Sequence, residues 1–262
     1  MSKPAAADST APHDIQKRRR PIEGGQIAWE EMGSGPPLLL LHGYGGTARW
    51  WTRNVRQLAR RSRVYALDLP GFGRSRLRGP FRFDRAATLL LQWMDAEGIG
   101  SANIVAHSMG GQLALLFAAR YPAKVRSLVL LAPAGMPFST GLPGIAWQAM
   151  RSRRGGDPRF TPIVVTGSLR AGPRILWQAV RQIREVNVRG ELAAITAPTM
   201  ILWGEGDQLL SPNGGPIIAQ GIRGAQLRIV AGAGHNLMYE QAELVNAAIK
   251  DFIASQAVVP YS

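Results

Sequence analysis

The chain of 262 residues contains no cysteine. Disulfides and thiolate metal sites are therefore excluded, and the absence of disulfides is typical of a protein in a reducing compartment. Residues 1–20 contain no apolar segment of the kind found in a signal peptide, and the longest strongly apolar runs have the length of a strand rather than of a membrane span. We therefore expect a cytoplasmic protein.

Acidic residues are also scarce, with 17 against 31 basic residues and a net charge of +14. Such a chain attracts anionic surfaces and ligands weakly, through a field that salt screens. Its arginines do not alternate with aromatic residues as in nucleic-acid-binding modules, so we expect no nucleic-acid partner. Residues 1–20 are rich in Ala, Ser and Pro and then basic, which predicts a disordered tail. The alternative is a basic arm that contacts a membrane or a partner.

Short apolar runs alternate with helical patterns along most of the chain. Leu38–Leu41, Val64–Leu67 and Val125–Leu131 have the composition of strands that are buried on both faces. The alternation predicts an α/β fold in which helices flank a mostly parallel twisted sheet. In such a fold the ligand site lies beyond the carboxyl ends of the strands.

Residues 135–190 break this alternation, because they contain Trp- and Arg-rich helical patterns and no strand of useful length. We interpret this segment as a helical cap inserted into a core of residues 21–134 and 191–262. The segment has nine arginines, no lysine and two acidic residues. Its basic face is either solvated or attracted to an anionic substrate or interface.

A strand-like run ends at a Ser-x-Gly sequence in Asn103–Gly111, and a buried helical pattern follows it. A serine at such a strand–turn–helix junction has a strained backbone and presents its hydroxyl at the edge of the sheet. Ala106 occupies the first small position, where glycine is commoner. Ser108 is therefore a candidate nucleophile, with an ordinary loop serine as the alternative.

Four further motifs occur in order around Ser108: His42-Gly43-Tyr44-Gly45-Gly46, Asp68-Leu69-Pro70-Gly71-Phe72-Gly73-Arg74-Ser75, Gly204-Glu205-Gly206-Asp207 and Gly234-His235. From about Ile22 to Ile253 the chain resembles the α/β-hydrolase family, in particular its serine members such as carboxylesterases and carbon–carbon bond hydrolases. The resemblance implies that the backbone N–H groups of Tyr44 and Met109 form an oxyanion hole. It also implies that Asp68 braces a loop. Without the resemblance, the His-Gly motif is an ordinary glycine-rich turn.

The order of catalytic residues in this family is serine, acid, histidine. His235 is the only one of four histidines that follows Ser108. Asp207 matches the position of the acid in the family, and Glu205 is the alternative. We interpret His42 as a loop-bracing residue and His107 as a half-buried neighbour of the nucleophile. The resemblance thus predicts a triad of Ser108, Asp207 and His235, with no cofactor and no metal.

The expected reaction is hydrolysis of a carboxylic ester, thioester or lactone of a largely apolar small molecule. Candidate residues for an apolar pocket are Met136, Phe138, Trp147, Met150 and Trp177. Carbon–carbon bond hydrolysis and cofactor-free perhydrolysis use the same triad. Members of the family that hydrolyse carbon–carbon bonds usually have a tryptophan soon after the histidine, whereas here His235 is followed by Asn236-Leu237-Met238-Tyr239. A non-catalytic binding or accessory protein is the alternative from another class. The sequence leaves the oligomeric state open.

Overall fold

A computed structural model describes residues 14–136 and 157–257, and these residues form a central sheet. Its strands within the described residues are β1 (Gln16–Ile22), β2 (Gly25–Met32), β3 (Pro37–Leu41), β4 (Arg63–Asp68), β5 (Arg76–Leu77), β6 (Ala102–His107), β7 (Val125–Leu131), β8 (Thr199–Gly204) and β9 (Gln226–Val230). The strand order is β1-β2-β4-β3-β6-β7-β8-β9, and β5 pairs with β2. Neighbouring strands are parallel in the part of this order that runs β4-β3-β6-β7-β8-β9. The strand β2 pairs antiparallel with β1, β4 and β5.

Helices cover the sheet, as the alternating sequence pattern predicts. The α-helices of the described residues are α1 (Val55–Leu58), α2 (Phe83–Ala96), α3 (Met109–Arg120), α4 (Thr161–Glu185), α5 (Gly214–Gly221), α6 (Leu237–Glu240) and α7 (Ala242–Ala257). Short 3-10 helices span Ala48–Trp51, Pro122–Lys124, Pro158–Phe160 and Arg189–Ala194. None of the helices in the described ranges is long and apolar enough to cross a membrane.

The core lies on both faces of the parallel strands. Residues Leu38–Leu41 of β3 are fully buried, because β3 has a strand on each side and helices above and below it. The carboxyl ends of β3, β4, β6, β8 and β9 therefore meet at one edge of the sheet. The loops that follow these strands contain the motifs identified in the sequence.

The prediction of a disordered tail over residues 1–20 is wrong for its last residues, because Gln16–Ile22 forms the edge strand β1. This strand pairs with β2 over seven residues, from Gln16 opposite Glu31 to Ile22 opposite Gly25. The pairing uses backbone groups, so the basic side chains of β1 can point into solvent while the strand is ordered. Ion pairs of Arg18 with Glu31 and of Arg20 with Glu97 attach it further. Residues 1–13 lie outside the described residues.

The long helix α4 lies within the predicted cap and has a kink at Gly172, whose φ is 74°. Pro173 follows directly and has no N–H for the helical ladder, which explains why the helix is interrupted there. Near its start, Gly167 approaches the loop after β3 so closely that a Cβ would lie 2.3 Å from the carbonyl oxygen of Gly45. Helix α4 thus covers the edge of the sheet where the motifs meet. The division into cap and core stays a prediction.

Candidate active site

Ser108 lies at the sharp turn between β6 and α3. Its backbone has φ 52° and ψ −117°, a conformation that costs free energy for a residue with a side chain. Two hydrogen bonds hold it there: its N–H donates to the carbonyl oxygen of Leu131 at 3.0 Å, and its own carbonyl oxygen accepts from the N–H of Ala134 at 3.0 Å. The hydroxyl group is thereby fixed at the carboxyl edge of the sheet.

The imidazole of His235 lies between Ser108 and Asp207. Its Nε2 is 3.0 Å from Oγ of Ser108, and its Nδ1 is 2.8 Å from Oδ2 of Asp207. All three residues are buried, with exposed fractions of 4% for His235, 7% for Asp207 and 8% for Ser108. The structure therefore brings together the three residues that were predicted from the sequence.

The carboxylate of Asp207 accepts hydrogen bonds on both oxygens. Oδ1 accepts from the N–H groups of Leu209 and Leu210 at 2.8 and 2.9 Å, and Oδ2 accepts from the indole N–H of Trp203 at 3.1 Å. Because the carboxylate acts as an acceptor, Nδ1 of His235 must carry the proton, and Nε2 is left to accept from the hydroxyl of Ser108. This is the tautomer that a general base for the serine requires.

The alternative acid, Glu205, lies in the same turn but is exposed, so it does not orient the histidine. Trp203 is a residue that the sequence did not identify. Its indole N–H is shared between Oδ2 of Asp207 and the carbonyl oxygen of Leu210 at 3.2 Å. Nothing in the sequence distinguishes it from a tryptophan of the core.

His107 contacts His235 directly, although it was interpreted as a half-buried neighbour. The half-burial is wrong, because His107, the last residue of β6, is fully buried against the loop of His235. Its Nε2–H donates to the carbonyl oxygen of His235 at 2.9 Å, and the two rings are 4.8 Å apart. Burial, assisted by the neighbouring His235, holds the pKa of His107 well below its usual value. A neutral imidazole therefore supports the loop of His235.

Glu240 supports the same loop from the other side. Its carboxylate accepts a hydrogen bond at 2.6 Å from the N–H of Gly234, the residue directly before His235. Burial raises the pKa of Glu240, and hydrogen bonding to backbone N–H groups opposes the rise. The sequence did not identify this residue, because a glutamate near the start of a helix is ordinarily a surface residue.

The glycine-rich loop after β3 lies beside Ser108. A Cβ at Gly43 would be 3.1 Å from Cβ of Ser108, so only glycine allows this approach. His42 anchors the loop: its Nδ1–H donates to the carbonyl oxygen of Gly43 at 2.7 Å, and its Nε2 accepts from the N–H of Leu69 at 2.9 Å. Complete burial lowers the pKa of His42 to about 4, so the ring is neutral near pH 7. Its loop-bracing role agrees with the interpretation of the sequence.

The carboxylate of Asp68 connects the loop after β4 to the segment that follows the glycine-rich loop. Oδ1 accepts from the N–H of Ala48 at 2.7 Å, and Oδ2 accepts from the backbone N–H of Arg74 at 2.9 Å and its side-chain Nε at 3.1 Å. Asp68 therefore braces loops, as the resemblance implied. It does not belong to the Ser–His–Asp group.

The two amides predicted to form an oxyanion hole lie at this edge. Met109 is the first residue of α3, and the first amides of a helix have no acceptor within the helix. Tyr44 directly follows Gly43, the residue whose Cα is close to Ser108. Both N–H groups thus belong to backbone that adjoins the serine. Their role stays a prediction at this point.

The candidate pocket residues are only partly covered by the structure. Met136 is partly buried against the core. Trp177 on α4 has 56% of its surface exposed, so it does not line an enclosed cavity in this structure. Phe138, Trp147 and Met150 lie outside the described residues. Over the described ranges, no group of three or more His, Asp or Glu side chains could hold a metal ion.

Comparison with known proteins reveals similar sequences and folds. A model of the α/β hydrolase fold family matches residues 36–162. A poly(3-hydroxyalkanoate) depolymerase of Ectopseudomonas oleovorans is 30% identical over 241 residues, which cover 84% of this chain and 85% of the relative. Lipase 1 of Psychrobacter immobilis is 28% identical over 253 residues, which cover 83% of this chain and 77% of the relative.

A solved structure of a thermophilic esterase from Thermogutta terrifontis superposes with a TM-score of 0.78 at 24% identity, covering 92% of this chain and 99% of the esterase. At this identity the likeness concerns the fold. Together with the parallel sheet, these similarities define the class: the chain belongs to the α/β hydrolase fold family, so the predicted fold is confirmed. Within this family it is a hydrolase that acts on ester bonds.

Proposed function

We propose that the protein is a serine esterase that hydrolyses a carboxylic ester of a largely apolar small molecule through an acyl-enzyme on Ser108. The observation that carries this proposal is the position of the His235 imidazole, 3.0 Å from Oγ of Ser108 and 2.8 Å from Oδ2 of Asp207. A serine hydroxyl near neutral pH is a weak nucleophile, and a base within hydrogen-bonding distance activates it. The acceptor pattern around Asp207 supports the tautomer that this role needs.

In the proposed reaction, Oγ of Ser108 attacks the carbonyl carbon of the ester while Nε2 of His235 takes the hydroxyl proton. The tetrahedral intermediate then expels the alcohol, which receives this proton from His235. Water then attacks the acyl carbonyl carbon while Nε2 of His235 takes one of its protons. The second tetrahedral intermediate releases the carboxylic acid, and His235 returns that proton to Oγ. Asp207 holds the imidazole throughout and stabilises the imidazolium form.

The N–H groups of Tyr44 and Met109 are proposed to stabilise the oxyanion in both halves of the reaction. The close approach of Gly43 to Ser108 and the start of α3 at Met109 support this role. Loss of one such donor typically lowers turnover about 10²- to 10³-fold. Because both donors are backbone amides, substitution of side chains alone leaves them in place.

Labelling with a fluorophosphonate tests this proposal, because only an activated serine reacts quickly with this reagent. We expect rapid labelling of the wild-type protein and none of Ser108→Ala, with hydrolysis of a short p-nitrophenyl ester lost in parallel. Ser101→Ala is a matched control, since Ser101 precedes the other end of β6 and its hydroxyl contacts Arg126. Equal labelling of Ser108→Ala and the wild type contradicts the proposal, provided that circular dichroism shows both proteins folded.

A panel of p-nitrophenyl esters with increasing acyl length tests the substrate class. We expect a preference for apolar acyl chains, because apolar residues of the cap were predicted to line the pocket. A preference for charged or highly polar acyl groups contradicts this part of the proposal. Lactones, thioesters and a vinylogous diketone added to the panel separate ester hydrolysis from carbon–carbon bond hydrolysis. Perhydrolysis is measured with the same esters in the presence of peroxide.

We further propose that the protein acts in the cytoplasm on a small-molecule ester. The absence of cysteine from the whole chain supports the location. Fractionation of cells that express the untagged protein tests it. A binding protein without turnover is the alternative, and slow fluorophosphonate labelling of a folded wild-type protein favours it.

A further inference from the structure

Helix α4 exposes large apolar side chains to solvent. Leu169 is 77% exposed, and Val165 and Trp177 are 42% and 56% exposed. Val165 and Leu169 are four residues apart, one helical turn, so they share a face of the first half of the helix. Exposed apolar residues that share a face indicate a surface that becomes buried when a partner binds.

A strongly basic cleft adjoins this face. It has a volume of about 730 Å³ and lies between β1, β2, the loop after β4 and the first half of α4. Its cationic lining residues are Lys17, Arg18, Arg19, Arg74, Arg76 and Arg170. No acidic and no aromatic residue belongs to the lining.

Most of this positive charge is not neutralised by neighbouring carboxylates. Arg18 pairs with Glu31, and Arg74 pairs with Asp68. In the part of the chain that the structure describes, Lys17, Arg19, Arg76 and Arg170 have no carboxylate within the distance of an ion pair. The cleft therefore has a net positive charge that is available to a partner.

The apolar face and the cleft are close together, because Arg170 lines the cleft and directly follows Leu169 in the same turn of α4. The same half of α4 contacts the glycine-rich loop of the candidate active site, where Gly167 meets Gly45. We call this surface, made of Val165, Leu169 and the cleft, the docking face. A partner bound there lies next to the candidate active site.

We propose that the docking face binds an anionic phospholipid surface. Phosphate headgroups match the cations of the cleft, and the exposed Leu169 and Val165 enter the boundary between headgroups and acyl chains. A second copy of this chain carries the same charge of +14 and is repelled from the face. Single-stranded nucleic acids bind through basic grooves with stacking aromatic residues, which the cleft lacks. A free polyphosphate matches the cations but makes no use of the apolar side chains.

Sedimentation of the full chain with sucrose-loaded vesicles tests the proposal. We expect binding to vesicles of phosphatidylcholine and phosphatidylglycerol, little binding to phosphatidylcholine alone, and release at high salt. Neutralising one cation, as in Arg19→Gln or Arg76→Gln, is expected to weaken binding about fivefold. Leu169→Ser is expected to weaken vesicle binding on the order of tenfold, because the free energy gained by burying the leucine side chain is lost.

Matched controls lie on other surfaces. Leu244→Ser removes a leucine on α7 that is 49% exposed. Arg126→Gln removes an exposed arginine near the start of β7, at the edge of the sheet opposite to the candidate active site. Both control variants are expected to bind like the wild type. The readout is binding and not hydrolysis, so its result is independent of the proposed esterase activity.

Three outcomes overturn the proposal. Absence of binding to anionic vesicles at low salt excludes a lipid partner. Equal binding by Leu169→Ser and the wild type, with complete displacement by inorganic triphosphate, indicates a site for free polyanions. A dimer detected by light scattering that dissociates on Leu169→Ser substitution, without vesicle binding, indicates that the face joins two copies of the chain.

Discussion

Two contacts of similar length, each made by a carboxylate, differ in their surroundings. The Asp207–His235 contact is 2.8 Å long at the buried edge of the sheet, where the side chains are 0% and 4% exposed. The Arg181–Glu185 contact is 2.6 Å long on α4, where the side chains are 63% and 49% exposed. Water and salt compete with the second contact and hardly reach the first. Burial and the number of fixed partners therefore decide what a polar contact contributes, and its length does not.

The difference in exposure suits the edge of the sheet to catalysis and helix α4 to recognition. At the edge of the sheet, each ring nitrogen of His235 has one partner, and residues on both sides support its backbone. Such an arrangement is preorganised and does not have to rearrange during a reaction. Helix α4 instead exposes cations and apolar side chains, which are available for recognition.

The largest effect is expected from Asp207→Asn. An asparagine offers one acceptor oxygen and one NH2 group, so it cannot accept from His235 and from the N–H groups of Leu209 and Leu210 in the way the carboxylate does. The imidazole is then held in the wrong tautomer, and kcat for a p-nitrophenyl ester should fall about 10⁴-fold. Glu205→Gln, in the same turn, is the control and should leave kcat unchanged. Loss of activity in Glu205→Gln alone transfers the orienting role to that residue.

The second effect is a dependence of stability on pH that arises from buried histidines. The pKa of His42 is about 4 in the folded state against 6.5 for an unperturbed histidine. Between these pH values the unfolded chain binds the proton and the folded chain does not, so acidification from pH 6.5 to 4 favours unfolding. The free energy of unfolding should fall by on the order of 3 kcal/mol from His42. His107, whose pKa is also lowered, acts in the same direction.

Urea denaturation at a series of pH values between 7 and 4 measures this loss. The variant His42→Asn removes the titrating group, so its free energy of unfolding should depend less steeply on pH than that of the wild type. A stability that stays constant over this range contradicts the assigned burial of the neutral rings.

The grouping of Ser108, Asp207 and His235 could be predicted from the sequence because each of these residues lies in a short local motif at the end of a strand. Ser108, Asp207 and His235 follow β6, β8 and β9, and the resemblance fixes their order. Trp203 and Glu240 could not be predicted as parts of the site. Their roles depend on hydrogen bonds that form only when the loops meet, and their residue types are equally typical of a core and of a surface.

The fold was also predictable where apolar patterns determine it, as in Leu38–Leu41 of β3. The strand β1 was missed because its sequence is basic and its order depends on backbone pairing with β2. Composition describes what a segment can bury, whereas an edge strand needs only a neighbour with unpaired backbone groups.

A smaller effect is expected from Glu240→Gln, which keeps the shape of the side chain. A glutamine is uncharged, so the hydrogen bond that it accepts from the N–H of Gly234 is weaker and the loop of His235 becomes less well fixed. We expect kcat to fall about tenfold with KM unchanged, which corresponds to one hydrogen bond to a charged group. Glu243→Gln, which replaces an exposed glutamate at the start of α7, is the matched control.

The pH profile separates this positioning role from a general loss of stability. Burial raises the pKa of Glu240, so in the wild type its carboxylate is protonated at a higher pH than an exposed glutamate and then loses acceptor capacity. Part of the activity lost on the acidic side should therefore be absent from Glu240→Gln. Identical pH profiles of the two proteins assign Glu240 a purely structural role.

The smallest effect is expected from Arg181→Gln on α4. Because the Arg181–Glu185 pair is exposed, its removal should change the free energy of unfolding by less than about 0.5 kcal/mol and should leave kcat unchanged. Urea denaturation at low and high salt measures the difference, which should vanish at high salt. Glu185→Gln and the double variant complete the cycle. A coupling free energy of about 2 kcal/mol, well above the range of exposed pairs, would place this pair in a water-excluding contact and remove the contrast between α4 and the edge of the sheet.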